Sequence, residues 1–213
     1  MTDLASRTIA IAGAGGGLGP TVARHLADAG ANLALTDVAT DRLAAAADAT
    51  SLPADRLDTR EVDLLDPDSA RSWADHLEER FGRTDSLIHL VGGWKGGDPI
   101  ATTPLADYDF LHDLLVRTVQ HATRAFHDSL ASSPHGRFVL VSSAQAQHPD
   151  GTNASYAATK AAAETWTLAL ADSFRDAGSL ATANIIVVNA IVTPRCARRT
   201  PTSPTARSPQ PRT

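Results

Sequence analysis

A regular alternation of short apolar runs and longer stretches of helical period constrains the fold of this chain more than any other feature. Six short runs predict strands at residues 7–13, 31–37, 59–64, 86–92, 137–143 and 183–190. Five longer stretches predict helices at residues 18–30, 39–49, 66–82, 104–131 and 153–178. Three of these helices end at Gly30, Gly82 and Gly178, where C-terminal caps belong. Strands that are apolar on both faces are typical of a parallel sheet covered by helices. We therefore expect a doubly wound α/β domain with its ligand at the carboxyl ends of the strands.

Length and charge narrow the class of protein. The chain has 213 residues, 43% of them apolar, which is enough for the core of one domain. Its net charge of -5 argues against nucleic-acid binding, because such surfaces are usually basic. Residues 195–213 hold five arginines and no acid, so the first 194 residues carry a charge of -10. We expect a folded domain over 1–194 and a disordered tail over 195–213.

Cysteine content and hydropathy indicate the cellular compartment in which the protein is expected. The single cysteine, Cys196, has no partner for an intrachain disulfide and is typical of a reducing compartment. The first residues lack the basic start and long apolar run of a signal peptide, and no stretch reaches the roughly 20 apolar residues of a membrane helix. We expect a cytoplasmic protein without membrane contact.

A glycine-rich segment joins the first predicted strand to the first predicted helix. Gly13, Gly17 and Gly19 have the spacing G-x-x-x-G-x-G, and Gly13, Gly16 and Gly19 also match G-x-x-G-x-x-G. Backbone amides at such a turn, together with a helix N-terminus, can hold a pyrophosphate. The alternative is a flexible loop without a ligand, but its place between a strand and a helix favours a phosphate site.

Asp37 ends the second predicted strand, 18 residues after Gly19. This is close to the spacing of about 20 at which a carboxylate binds the adenosine ribose of a dinucleotide. A carboxylate here repels a 2′-phosphate, and the glycine loop contains no arginine or lysine to attract one. The pattern favours NAD over NADP. The alternative for Asp37 is a solvated loop acid or a helix N-cap.

Ser143, Tyr156 and Lys160 form a candidate reaction site. Ser143 ends the fifth predicted strand, Tyr156 follows thirteen residues later, and Lys160 lies four further on. The i,i+4 spacing puts the phenol and the ammonium on one helix face, where a cation favours the phenolate. A free phenol, with a pKa of about 10, is otherwise a poor base at neutral pH. Taken one at a time, Ser143 could be a strand-end hydroxyl that satisfies backbone groups, and Tyr156 and Lys160 could be incidental residues of a solvated helix.

In this order and spacing the motifs resemble those of the short-chain dehydrogenase/reductase (SDR) family. The resemblance covers about residues 5–194 and rests on the glycine loop at 12–19, Asp37, Asp63–Leu64, Gly92 and the Ser143, Tyr156 and Lys160 set. It implies a Rossmann-like sheet and hydride transfer between a nicotinamide cofactor and a secondary alcohol or ketone.

The resemblance also implies a role for each matching residue. Tyr156 would be the general acid or base, Ser143 would hydrogen-bond the reacting oxygen, and Lys160 would bind the nicotinamide ribose and lower the pKa of the tyrosine. The positions implied in cofactor binding are Gly13, Gly16, Gly17, Leu18, Gly19, Asp37, Asp63, Leu64, Val91, Gly92, Tyr156 and Lys160.

The chain departs from the family pattern at several positions. Ala12 stands where a threonine usually precedes the first loop glycine, and residues 89–92, His-Leu-Val-Gly, replace the N-N-A-G segment. Arg117 aligns with an asparagine that helps relay protons towards the lysine. If Arg117 points inward, a second cation lies near Lys160; if it points outward, the relay lacks its asparagine.

Other residues that invite a functional interpretation have simpler explanations. His89, His121 and His148 lie on different predicted elements without the spacing of metal ligands, so we expect hydrogen-bonded structural histidines and no metal site. Trp94, just past the fourth predicted strand, is expected to be a wall of the substrate pocket rather than part of the core.

The C-terminal part departs most strongly from the family. After the sixth strand the family continues to a substrate loop and a seventh strand, whereas this chain enters a tail rich in arginine and proline after Pro194. We expect about six strands without the usual last one, and hypothesise a shift of the reading frame near codon 194. If the tail is native, an exposed sheet edge, an uncovered apolar face and lowered stability follow.

These observations leave two main hypotheses. The first is an NAD(P)-dependent oxidoreductase, and the second is a catalytically impaired protein that binds NAD without turnover. An epimerase is less favoured because the chain lacks a substrate domain. In the family, helices matching residues 105–131 and 153–177 form a dimer, so we expect a homodimer acting on a small alcohol or ketone.

Overall fold

The computed structural model describes residues 4–189 as alternating strands and helices. The strands are β1 (Thr8–Ala12), β2 (Asn32–Asp37), β3 (Leu57–Glu61), β4 (Ser86–His89), β5 (Arg137–Ser143) and β6 (Thr182–Val188). The helices are α1 (Gly19–Asp28), α2 (Thr40–Asp48), α3 (Pro67–Phe81), α4 (Leu105–His112), α5 (Thr118–Ser132) and α6 (Ala154–Asp176). The strands form one parallel sheet in the order β3-β2-β1-β4-β5-β6.

Helices cover both faces of this sheet. On one face, α1 and α2 pack against β1 and β2, where Ile11 and Leu35 are fully buried. On the other face, α3, α5 and α6 bury Trp73, Phe126 and Phe174 against the central strands. Apolar side chains on both sides of the central strands require this double cover. The predicted doubly wound α/β fold is therefore confirmed.

Local signals placed the helix ends correctly. Gly30, Gly82 and Gly178 have φ angles of +97°, +78° and +66°. L side chains rarely adopt this left-handed conformation, so these glycines end helices where other residues would be strained.

The strand boundaries differ most at β3. The predicted strand at 59–64 is shifted to Leu57–Glu61, because these are the residues that pair with β2. β3 is also polar and partly exposed, so the prediction of strands apolar on both faces is wrong here. β3 is the outermost described strand on its side of the sheet and needs less apolar surface.

The long helix predicted over 104–131 is interrupted. Between α4 and α5 lies a π-helical turn, Asp113–Arg117, in which the amide of Thr118 donates to the carbonyl of Asp113. One added residue in a turn changes which side chains face the sheet beyond it. The turn therefore determines the orientation of Arg117.

β6 lies at the other side of the described sheet. Ile186 and Val187 are about half exposed on it, and no described strand pairs with its outer edge. The predicted tail at 195–213, with Cys196, lies outside the described residues. Within residues 4–189, no helix combines the length and the apolar character needed to span a bilayer.

Candidate active site

The sheet reverses its winding direction between β1 and β4, which are neighbours in space but not in sequence. Ligands of open parallel sheets bind at the carboxyl ends of the strands at such a point. A cavity of about 230 Å³ opens here. Its lining residues are Gly13, Gly16, Thr36, Asp37, Val38, Arg42, Val62, Asp63, Leu64, Leu65, Leu90, Val91, Gly92, Leu114 and Thr118.

The glycine loop closes one side of this cavity, and two of its glycines have no room for a side chain. A Cβ on Gly13 would lie 2.7 Å from the amide nitrogen of Val91, and one on Gly19 would overlap the carbonyl of Ala14. At Gly13 the backbone therefore packs directly against the residues that follow β4, and at Gly19 it packs directly against Ala14. Closely packed glycine backbone at a helix N-terminus suits a pyrophosphate, so these residues fit a dinucleotide.

The Asp37 carboxylate braces the same loop. Its Oδ2 accepts a hydrogen bond from the Gly15 amide at 3.0 Å, and its Oδ1 accepts one from the Ala39 amide at 3.0 Å. Arg42, on the first turn of α2, also donates to Oδ1 at 3.3 Å. The carboxylate lines the cavity, and a guanidinium from outside the glycine loop lies beside it.

The structure gathers most of the predicted cofactor positions around this cavity. Seven of them line it: Gly13, Gly16, Asp37, Asp63, Leu64, Val91 and Gly92. Gly17, Leu18 and Gly19 lie at the start of α1 rather than in the lining, and Tyr156 and Lys160 lie on α6. No sequence signal marked Arg42, because its approach to Asp37 depends on how α2 packs against β2.

Ser143 and Tyr156 meet at the carboxyl end of β5. Ser143 is the last residue of the strand, and Tyr156 lies in the first turn of α6. The connection ends in a tight turn in which the backbone amide of Thr152 and the side-chain amide of Asn153 donate to the Asp150 carboxylate. This turn fixes where α6 begins, and so where the phenol lies relative to the strand end.

Burial and hydrogen bonding act in opposite directions on Tyr156. Burial raises the pKa of the phenol above its ordinary value, and a hydrogen bond with Ser143 lowers it by a smaller amount. The net shift is upward, so the lowering expected from Lys160 is not observed. Lys160 lies one turn further along α6, with its Nζ 6.0 Å from the centre of the tyrosine ring. Burial lowers the pKa of Lys160 to about 8, and the nearby Glu164 carboxylate opposes this shift. The ammonium donates to the carbonyl of Val141 on β5 at 2.9 Å.

His89 lies in the sheet near this lysine. It is 1% exposed, and neither ring nitrogen has a hydrogen-bond partner in the described part of the chain. Burial lowers its pKa to about 3, and the positive charge of Lys160 adds to this effect. His89 is therefore a neutral ring packed in the core, and the expectation that it is a hydrogen-bonded structural histidine is wrong.

Arg117 points away from the reaction site. Its side chain is 48% exposed, and its Nε donates to Asp113 at 2.9 Å on the outer side of the π turn. No second cation comes from this position, and the asparagine of the family relay has no replacement there. Of the two orientations considered for Arg117, the outward one is confirmed.

Trp94 lies in the loop between β4 and α4. Its side chain is 57% exposed, which confirms that it is not a core residue. The same loop contacts the turn before Tyr156, since the amide of Gly97 donates to the carbonyl of Thr152 at 2.8 Å. A pocket wall formed by Trp94 stays a prediction.

The other two histidines lie in different surroundings. His121 donates from Nδ1 to the carbonyl of Leu64 at 2.9 Å, and His148 is exposed. Over residues 4–189, no cluster of three or more His, Cys, Asp or Glu side chains is arranged to hold a metal ion.

Comparison with known proteins gives one consistent result. A family model described as short chain dehydrogenase matches residues 7–208. The oxidoreductase UcpA of Escherichia coli K12 is 30% identical over 179 residues, which cover 84% of this chain and 67% of UcpA. A short chain oxidoreductase of Pseudomonas aeruginosa PAO1 with an atypical catalytic center, solved with NADPH bound, has a TM-score of 0.85 at 25% identity. That match covers 93% of this chain and 77% of the other.

Proposed function

This chain belongs to the short-chain dehydrogenase family, and we propose that it is an NAD(P)-dependent oxidoreductase that interconverts a small secondary alcohol and its ketone. One observation carries the proposal. Ser143, Tyr156 and Lys160 lie at the carboxyl end of β5, the same edge of the sheet as the glycine-lined cavity. A proton donor is thus close to the site that fits a dinucleotide.

In the reductive direction, Tyr156 gives its phenolic proton to the carbonyl oxygen of the substrate and is left as a phenolate. Ser143 hydrogen-bonds the same oxygen and holds it near the phenol. Lys160 stabilises the phenolate by its charge. When bound, the nicotinamide cofactor supplies the hydride for the carbonyl carbon. In oxidation Tyr156 takes the proton back, so one residue serves both directions.

The cavity residues define where the cofactor would bind. The glycine loop and the N-terminus of α1 would hold the pyrophosphate, and Asp37 would accept the adenosine ribose hydroxyls. Asp63 and Leu64 would contact the adenine, with Val91 and Gly92 beneath it.

Replacing Tyr156 tests the catalytic part of the proposal. We expect Tyr156→Phe to lower kcat at least about 100-fold across a panel of ketones, because the proton donor is removed while the ring remains. NADH binding, measured by fluorescence, should change little. The chain has only two tyrosines, so Tyr108→Phe on α4 is a matched control that should keep its activity.

The same measurements separate the alternative. If wild-type protein binds NADH but transfers no hydride to any ketone, the chain is the impaired cofactor-binding protein. The features that favour this second possibility are the missing asparagine at Arg117, the altered segment at residues 89–92 and the lack of the family's substrate loop. If Tyr156→Phe retains full turnover, the assignment of the proton donor is wrong.

For the cofactor, we propose a preference for NAD moderated by Arg42. The Asp37 carboxylate repels a 2′-phosphate, while the Arg42 guanidinium, 57% exposed, partly neutralises it. We expect kcat/KM to favour NADH over NADPH. Arg42→Ala should increase that preference and Asp37→Asn should reduce it. A wild-type preference for NADPH would contradict the proposal.

A further inference from the structure

Lys160 is a cation in a site that disfavours charge. Its side chain is 6% exposed, and the carbonyl of Val141 is its hydrogen-bond acceptor. Burial brings its pKa down to about 8, so little further desolvation would leave it neutral at physiological pH. A neutral amine could not stabilise a phenolate on Tyr156. Something in the structure must therefore help the amine to keep its proton.

The groups that face this ammonium come from three elements. β4 contributes the neutral ring of His89, β5 contributes the Val141 carbonyl, and α6 contributes Tyr156 and Glu164. Of these groups, only the Glu164 carboxylate carries a negative charge at neutral pH. It lies one helical turn after Lys160, on the same face of α6.

The Glu164 carboxylate is held by the strand that also holds the ammonium. The hydroxyl of Ser142 donates to its Oε1 at 2.6 Å, and the side chain of Gln147 donates to Oε2 at 3.5 Å. Ser142 is 1% exposed and directly follows Val141. Val141 and Ser142, two consecutive residues of β5, therefore set the positions of the Lys160 ammonium and the Glu164 carboxylate. Both charged groups are already in place before the reaction.

We propose that Glu164, held by Ser142, keeps the catalytic lysine protonated at neutral pH and so acts as a positioning residue for proton transfer. Glu164 does not touch the reacting atoms; it acts through Lys160, and Lys160 acts on Tyr156. The inference rests on the proposed function for its catalytic meaning, but the electrostatic coupling itself does not require turnover.

The chain offers a direct measurement, because Lys95 and Lys160 are its only lysines. In protein labelled with 13Cε-lysine, two side-chain signals titrate with pH, and Lys95→Arg identifies the signal of Lys160. We expect the Lys160 midpoint near 8 in the wild type. Glu164→Gln should lower it by about two pH units, the order expected for charges a helical turn apart at an effective dielectric of about 20.

Two further variants control this experiment. Glu79→Gln on α3 removes the same charge from an exposed position and should leave the midpoint unchanged. Ser142→Ala keeps the charge but frees the carboxylate, and should lower the midpoint by a smaller amount. An unchanged Lys160 midpoint in both Glu164→Gln and Ser142→Ala would overturn the proposal.

Activity gives an independent measurement. Ketone reduction needs the protonated lysine, so kcat/KM should fall as pH rises through the Lys160 midpoint. Glu164→Gln should shift this alkaline limb to lower pH by the same interval as the NMR midpoint. A structural role alone would lower kcat/KM at all pH values without moving the limb. If the wild type has no turnover, the proposed function fails, while the titration still tests the coupling.

Discussion

His89 combines deep burial with the loss of hydrogen bonding at both ring nitrogens. The backbone of His89 pairs with Ala12 of β1 and Leu140 of β5, so the residue lies between two central strands of the sheet. Because burial lowers its pKa to about 3, the folded protein resists protonating it, whereas an unfolded chain takes up the proton near the ordinary value of 6.5. The stabilising effect of the neutral ring is complete above that value and is lost as pH falls towards 3.

We expect this residue to dominate the acid sensitivity of the fold. Between pH 7 and pH 5 the wild type should lose about 2 kcal/mol of unfolding free energy through His89 alone. His89→Asn should remove most of this loss, whatever it does to stability at pH 7. Urea unfolding at the two pH values, followed by circular dichroism, measures the difference.

The control for this experiment is His148→Asn, at an exposed position. It should lose stability between pH 7 and pH 5 to the same extent as the wild type. Equal losses in His89→Asn and the wild type would show that the ring is protonated in the folded state.

At the scale of secondary structure, α5 and α6 present a surface that the described residues leave open. A groove between them is lined by Thr123, Arg124, His127, Asp128, Trp166, Ala169, Leu170 and Ser173. Leu168, on the adjoining exposed side of α6, has 63% of its surface exposed. Apolar side chains in such a position are typical of an interaction surface, and the family resemblance predicts a homodimer through these helices.

We expect the protein to be a dimer that Leu168→Glu converts to monomer, because each copy would bring a buried charge to the interface. Light scattering after size-exclusion chromatography measures the mass. Leu180→Glu makes the same change at a residue 72% exposed outside the helix pair and should remain dimeric. A wild-type monomer, or a dimeric Leu168→Glu variant, would contradict the dimer proposed through α5 and α6.

At the scale of the whole molecule, local patterns predicted most of the architecture. The alternation of elements, the glycine caps and the pairing of Tyr156 with Lys160 on one helix face all depend on residues within a few positions of one another. Such relations follow from helix and strand geometry and can be predicted from the sequence. The position of the cavity at the carboxyl ends of the strands then followed from the rules of parallel sheets.

Contacts between distant residues were not predictable in this way. The π turn that directs Arg117 outward interrupts a continuous helical pattern, and no local signal marked it. Arg42 meets Asp37 only because α2 folds back on β2. Glu164 stands four residues after Lys160, so helical spacing could have drawn attention to it, but its bond to Ser142 could not be foreseen.

The sequence by itself therefore determined the order of the elements, the glycine loop at the first strand end and the Ser143, Tyr156 and Lys160 set. Only the tertiary structure decided the electrostatic surroundings of that set. It makes His89 neutral, turns Arg117 outward, and holds the Glu164 carboxylate by a hydrogen bond from Ser142. The physical reason is that spacing along a chain follows local geometry. The electrostatics of a site depends instead on burial and on contacts across strands and helices, which exist only after the elements have packed.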